Sequence, residues 1–215
     1  MSKSINRSIR LAVIGTLAVT GMLFGSIASA ASVTYYLDQS NTLANGIDYA
    51  SVTLKDGADA SDAEYIDVTV EVITSAFGAV GDNFGMDKFF FNYDNSLTVE
   101  ASNIINIDPA SWDINLDKNA GGGFGFFDFQ VKGDGGSRTL ELNFSIAGVT
   151  GDSIADYAIA GAEGMFYSAH IGGFGGDGEL STIVAGPNPV PVPAALWLLG
   201  SALGGLGLMR RRKTK

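Results

Sequence analysis

The sequence contains no cysteine and only one histidine, His170, in 215 residues. Without cysteine the chain has neither a disulfide framework nor a thiolate metal site, so its stability has to come from a hydrophobic core. One histidine leaves little basis for a zinc or iron site of the ordinary type. A Ser-His-acid hydrolase would need His170 as its base, and no G-x-S-x-G segment is present to position a nucleophile. We therefore interpret His170 as a structural or surface residue.

Basic residues are scarce in the middle of the chain. Residues 31–190 hold all 23 acidic residues but only 5 of the 13 basic ones, a net charge of −18 (5 minus 23). So acidic a surface repels the phosphates of nucleic acids and anionic membranes. It favours divalent cations or basic groups instead, and nucleic acid is not an expected partner.

The middle of the chain also lacks a sustained helical period of apolar residues. Short runs rich in β-branched and aromatic residues alternate there with Gly- and Asp-rich turns, which is typical of antiparallel β-proteins. We predict an all-β fold over residues 31–186, a single antiparallel β-sandwich that is jelly-roll-like. The predicted strands are residues 32–37, 50–55, 65–73, 86–93, 125–132, 139–147 and 163–171.

The first 30 residues have the three parts of a secretory signal peptide. A positively charged start precedes an apolar run over about residues 11–27, and Ala28 and Ala30 then supply the small side chains of an A-x-A cleavage site. Signal peptidase is thus an expected partner, and cleavage would leave Ala31 as the mature terminus. The alternative is an uncleaved signal anchor, since the run approaches membrane-spanning length. Either interpretation predicts export.

The other end of the chain has the pattern of a membrane-spanning segment. Residues 194–209 carry no charge and consist mainly of Leu, Ala and Gly. Sixteen helical residues reach about 24 Å, somewhat less than the ~30 Å hydrocarbon core, and residues 190–193 lengthen the run. The basic residues in 210–215 are expected to stay in the cytoplasm. The alternatives are a buried terminal helix of the domain and a permanent anchor that is never cleaved.

The C-terminal parts together resemble a known sorting signal. A Pro-containing tetrapeptide, a short apolar span with an early Trp and a terminal Arg cluster resemble the PEP-CTERM signal of Gram-negative bacteria, in its VPxPA-type variant. Val192 stands where the usual Val-Pro-Glu-Pro has Glu. The resemblance implies recognition by an exosortase-type enzyme, transient anchoring in the inner membrane, and display at the cell surface or release into an extracellular matrix. The residues that carry it are Val190, Pro191, Val192, Pro193, Ala194, Trp197, Arg210, Arg211 and Arg212.

The stretch of residues 187–193 is a natural boundary between the domain and this signal. Its prolines favour an extended polyproline conformation, so it is expected to act as a stiff spacer that carries the processing site clear of the domain.

Two acidic loops are candidate calcium sites. A hard cation takes six to eight oxygen ligands, and closely spaced carboxylates with backbone carbonyls and water offer them. Neither loop has the spacing of an EF-hand, and ordinary Asp/Gly turn chemistry is the alternative. The candidate ligands are Asp56, Asp59 and Asp62 in the first loop, and Asp82, Asn83 and Asp87 in the second.

The remaining features bear on carbohydrate. A glycosidase would need two carboxylates, for which Glu71, Glu100, Glu141 and Asp128 are candidates. A Gly-flanked aromatic set, formed by Phe124, Phe126, Phe127 and Phe174, belongs either to a sugar-stacking platform or, as we favour, to the core. We therefore expect a non-enzymatic surface or matrix protein that binds polysaccharide or calcium. The alternative is an extracellular carbohydrate-active enzyme with a carboxylate pair.

Overall fold

The computed structural model describes residues 32–58 and 64–186. The predicted signal peptide with its cleavage site at Ala28, Ala30 and Ala31 lies outside the described residues. So do the spacer and sorting motif at 187–193, the apolar segment at 194–209 and the basic tail at 210–215. Among the described residues, no helix has the length and apolar character that a membrane crossing requires.

The described chain is all-β, as the sequence predicted. Only three short 3-10 helices interrupt the strands of this part of the chain, at Thr74–Ala76, Ala101–Asn103 and Ile154–Tyr157. The strands are β1 (Ser32–Leu37), β2 (Gln39–Ser40), β3 (Ala50–Ala58), β4 (Glu64–Val72), β5 (Val80–Phe91), β6 (Ile104–Asp108), β7 (Asp113–Asn119), β8 (Phe126–Lys132), β9 (Glu141–Ala147), β10 (Tyr167–Phe174) and β11 (Leu180–Gly186).

These strands form two antiparallel sheets. Sheet A has the order β1-β3-β4-β9-β6, and sheet B has the order β2-β11-β10-β5-β8-β7. Consecutive strands often belong to different sheets, so the chain crosses repeatedly from one layer to the other. The result is a β-sandwich-like arrangement with one outer face on each sheet.

Alternating side chains of both sheets meet in one hydrophobic core. Phe144 of sheet A lies with its ring centroid 5.6 Å from that of Phe91 and 6.2 Å from that of Phe89, both in sheet B. Burial of such a ring contributes about 1.5–3 kcal/mol, so these contacts hold the two layers together. Buried neighbours in the same core include Val52, Leu54, Ile66, Val68, Val70, Phe129, Val131, Leu142, Ile146, Tyr167, Ala169 and Ile171.

Candidate functional site

The outer face of sheet A is mainly polar. Side chains alternate between the faces of a strand, so the apolar residues of β4 and β9 turn to the core and the polar ones turn outward. The strand register then lines up two rows on the outer face. One row is Thr34, Thr53, Thr69, Asn143 and Asp108, and the next is Ser32, Lys55, Asp67, Ser145 and Ile105.

Hydrogen bonds fix the orientation of the side chains in these rows. The hydroxyl of Thr69 donates to Asn143 Oδ1 at 2.7 Å, and Asn143 Nδ2 donates to Glu141 Oε1 at 2.6 Å. In the second row, Ser145 Oγ donates to Asp67 Oδ1 at 2.8 Å. The polar groups are therefore arranged before any ligand arrives, which lowers the entropic cost of binding.

The central members of these rows, on β3, β4 and β9, line an open groove of about 390 Å³. The volume lies at the lower end of the range for small-molecule sites. Asn106 of β6 borders the groove, at a point where the register with β9 shifts between Ile105 and Asp108 and the backbone of Asn106 has φ 55°. A bulge of this kind redirects the edge strand, and here it places an amide side chain at the rim.

An aromatic ring lies on the same face, beside the groove. Tyr65 is opposite Gly57 in the register of β3 and β4, and it shares the outward side of β4 with Asp67 and Thr69. A Cβ atom at Gly57 would collide with the Tyr65 ring, so the ring lies over the glycine. The face thus combines hydroxyl, amide and carboxylate groups with an aromatic side chain.

Two of the four candidate catalytic carboxylates come together on this face. Glu71 of β4 and Glu141 of β9 are exposed and directly opposite in register. Directly opposite positions have Cβ atoms about 4.5–5.5 Å apart. Glu100 lies at the start of a 3-10 helix, and Asp128 of sheet B accepts a hydrogen bond from the Tyr93 backbone N–H at 3.2 Å. The structure therefore leaves a single candidate pair among the four.

The second candidate calcium segment has a different set of contacts. Asp87 is buried, and its Oδ1 lies 2.6 Å from His170 Nδ1 while its Oδ2 lies 3.6 Å from Arg138 Nε. Asn83 accepts hydrogen bonds from Arg138 through both its side chain and its backbone carbonyl. Asp87 thus contacts His170 and Arg138, and Asn83 contacts Arg138. Asp82 is exposed.

Calcium binding remains a prediction for this chain. Of the first candidate loop, Asp56 lies in β3, and Asp59 and Asp62 lie outside the described residues. Within residues 32–58 and 64–186, no group of three or more His, Asp or Glu side chains is arranged to hold a metal ion.

The Asp87 carboxylate is held in its ionised form. Burial by itself would raise the pKa of Asp87, but the hydrogen bond from His170 and the positive charges of His170, Lys88 and Arg138 outweigh it, and the pKa lies below its ordinary value. An ionised carboxylate only accepts hydrogen bonds. His170 Nδ1 is therefore the donor in this contact, which agrees with the structural role predicted for His170.

The Gly-flanked phenylalanines do not form a platform. Phe127 and Phe174 are buried, and Phe124 is half-buried against the small cluster that contains Phe90 and Phe127. Only Phe126 of this set is largely exposed, at 67%. The core interpretation therefore holds for Phe127 and Phe174 and fails for Phe126.

No family model, curated protein or solved structure matches this chain.

Proposed function

We propose that this chain is an exported, non-enzymatic protein of the cell surface or extracellular matrix that binds polysaccharide through the groove on sheet A. Its sandwich would be of the jelly-roll kind, which the repeated crossing of the chain between the two sheets supports. A signal peptidase would remove residues 1–30, and an exosortase-type enzyme would process the C-terminal signal. The sequence of the two ends supports the route, and the groove supports the binding activity.

The chemistry of the groove suits a sugar chain. Each sugar ring offers several hydroxyl groups that both donate and accept, and the groove presents threonine and serine hydroxyls, asparagine amides, one carboxylate and the Lys55 ammonium group within a single open surface. Tyr65 lies next to these groups on the same face. An open groove also lets a polymer pass through, because neither end of the chain has to fit inside a closed pocket.

Replacing Asn143 by alanine is expected to weaken polysaccharide binding about tenfold. Asn143 is the central polar side chain of the groove and is held by Thr69 and Glu141, and a loss of one or two hydrogen bonds corresponds to about 1.4 kcal/mol. Isothermal calorimetry or affinity electrophoresis on the purified domain would measure it, with the exopolysaccharide of the producing bacterium and a neutral β-glucan as probes.

Asn115→Ala is the matched control for this measurement. Asn115 is also half-buried on a strand, but it belongs to β7 of sheet B. Unchanged binding in Asn115→Ala with a loss in Asn143→Ala would support the groove. Equal losses in both variants, or no binding of either probe by the wild-type domain, would refute it.

The pairing of Glu71 with Glu141 favours one alternative function, a glycoside hydrolase. Retaining enzymes place two carboxyl groups about 5–5.5 Å apart, a separation that two Glu side chains can reach from directly opposite strand positions, whose Cβ atoms are about 4.5–5.5 Å apart. The same binding assays distinguish the two functions if reducing ends are measured over time. Release of sugar by the wild-type domain, abolished in Glu141→Gln without loss of folding, would replace the binding proposal with the enzymatic one.

The sorting proposal predicts two truncations of the mature protein. The intact mass of the protein recovered outside the cell should correspond to a chain that begins at Ala31 and ends near Val190–Pro193. Arg210–Arg212 replaced by glutamine should leave the unprocessed chain in the membrane fraction, because the basic cluster is part of the signal. A mass that includes residues 210–215, found only in membranes of the wild-type strain, would instead identify a permanent anchor.

A further inference from the structure

A row of basic side chains crosses the outer face of sheet B. His170 of β10 is opposite Lys88 of β5, and Lys88 is opposite Lys132 of β8. Their chain neighbours Ala169, Phe89 and Val131 are buried in the core, so the three basic side chains point outward. We call His170, Lys88 and Lys132 the cationic row.

Arg138 adds a fourth basic group beside this row. Its guanidinium packs over Gly172, two residues from His170 on β10, where an added Cβ would lie only 3.0 Å from it. The Arg138 Nε atom is buried and donates no hydrogen bond, although Asp87 Oδ2 lies 3.6 Å away. Residues 31–190 contain only five Lys and Arg side chains, so three of the five lie together here.

The Asp87 carboxylate offsets only part of the positive charge in this arrangement. Like charges directly opposite on neighbouring strands destabilise a sheet, yet Lys88 and Lys132 occupy such positions. The buried carboxylate of Asp87 contacts His170 and Arg138, and neither lysine forms an ion pair within the described part of the chain. Asp113 is opposite Lys132 on its other side but forms no ion pair there either. Two ammonium groups therefore remain available to an external anion.

We infer that the cationic row binds the carboxylate groups of a uronate-containing polysaccharide. One carboxylate between Lys88 and Lys132 would relieve their repulsion and gain two charge-assisted hydrogen bonds. A polymer with one negative charge on each sugar or on every second sugar suits the site better than a densely sulfated one, because the net charge of −18 on residues 31–190 repels high charge density.

This site is separate from the groove, because it lies on the outer face of the other sheet. It does not depend on the binding proposed for sheet A, and each can fail alone. If both bind, one domain connects two polysaccharide chains, and the two faces prefer different polymers. Such bridging raises the overall affinity for a mixed matrix without any new contact.

The test compares three polymers and a set of matched lysine variants on the purified domain. The probes are polygalacturonate, dextran sulfate and neutral dextran, measured by affinity electrophoresis at low and at physiological salt. We expect the wild-type domain to bind polygalacturonate, with an affinity that falls as salt rises. Lys88→Gln/Lys132→Gln should lose at least about tenfold of this affinity, and Lys88→Arg/Lys132→Arg should retain most of it.

Two further variants locate the effect. Lys118→Gln removes an exposed charge from β7, away from the row, and Asn143→Ala alters the groove; both should leave polygalacturonate binding unchanged. No binding of polygalacturonate by the wild-type domain would overturn the inference. An equal loss in Lys118→Gln, or tighter binding of dextran sulfate than of polygalacturonate, would also overturn it. Loss of glucan binding in Asn143→Ala alone would bear only on the groove.

Discussion

Phe144→Ala is expected to lower the free energy of unfolding by about 4 kcal/mol, which corresponds to a fall of about 10 °C in Tm for a domain of this size. The Phe144 ring is 2% exposed and contacts Phe89 and Phe91 of the opposite sheet. Its removal leaves a cavity between the two layers, where the strands on both sides are fixed by their neighbours and cannot close it. Thermal unfolding followed by near-UV circular dichroism would measure the change.

Phe126→Ala is the matched control for this substitution. Phe126 is also a strand residue, at the start of β8, but 67% of it is exposed to solvent. A change within about 0.5 kcal/mol is expected there, as for most surface positions. Comparable losses in the two variants would contradict the packing of one core between sheets A and B.

The sequence predicted seven of the eleven strands that the structure describes, and each of the seven has buried side chains. The seven predicted runs overlap β1, β3, β4, β5, β8, β9 and β10. In these strands the buried positions are occupied by β-branched and aromatic residues, as in the Phe89–Phe91 segment, and this enrichment predicts a strand. The run predicted at 163–171 began too early, because residues 163–166 precede β10 and the strand continues to Phe174.

Three of the four missed strands, β2, β6 and β7, are short or lie at the edge of a sheet. β7 is the outermost strand of sheet B and has no buried residue, and in its sequence "DINLDKN" the apolar alternation is limited to Ile114 and Leu116. β6 is the outermost strand of sheet A, and its bulge at Asn106 interrupts the period of two. β2 has only two residues. β11 carries an apolar run, but it follows a glycine-rich segment that reads as a turn.

The candidate sites could not be assembled from the sequence, because strand register places their residues together. Thr69 and Asn143 are 74 positions apart in the chain and hydrogen-bonded in the groove. Asp87 and His170 are 83 positions apart. In each case the residue type is ordinary for a β-strand surface or turn, and only the pairing of β4 with β9, or of β5 with β10, gives it a partner.

Asp87→Asn is expected to lower the free energy of unfolding by about 3 kcal/mol at pH 7, because loss of a buried carboxylate leaves the charge of Arg138 uncompensated. The pKa of Asp87 is lower in the folded protein than its ordinary value. Such a group contributes stability at pH values above its unfolded pKa of about 3.9, and this contribution is lost as the pH falls through the folded pKa. The difference in stability between the wild-type protein and the Asp87→Asn variant should therefore be constant near neutral pH and shrink below about pH 4.

The difference between the two proteins is the quantity to measure, because many other carboxylates also titrate in this range. Urea unfolding at a series of pH values would give it, with Asp113→Asn as the control. Asp113 is exposed on β7 and has no ion pair within the described residues, so its variant should follow the wild-type curve. If the difference between wild-type and Asp87→Asn stays flat from about pH 7 to about pH 2.5, below the ordinary Asp pKa, the contacts with His170 and Arg138 do not lower the pKa of Asp87 in the folded protein.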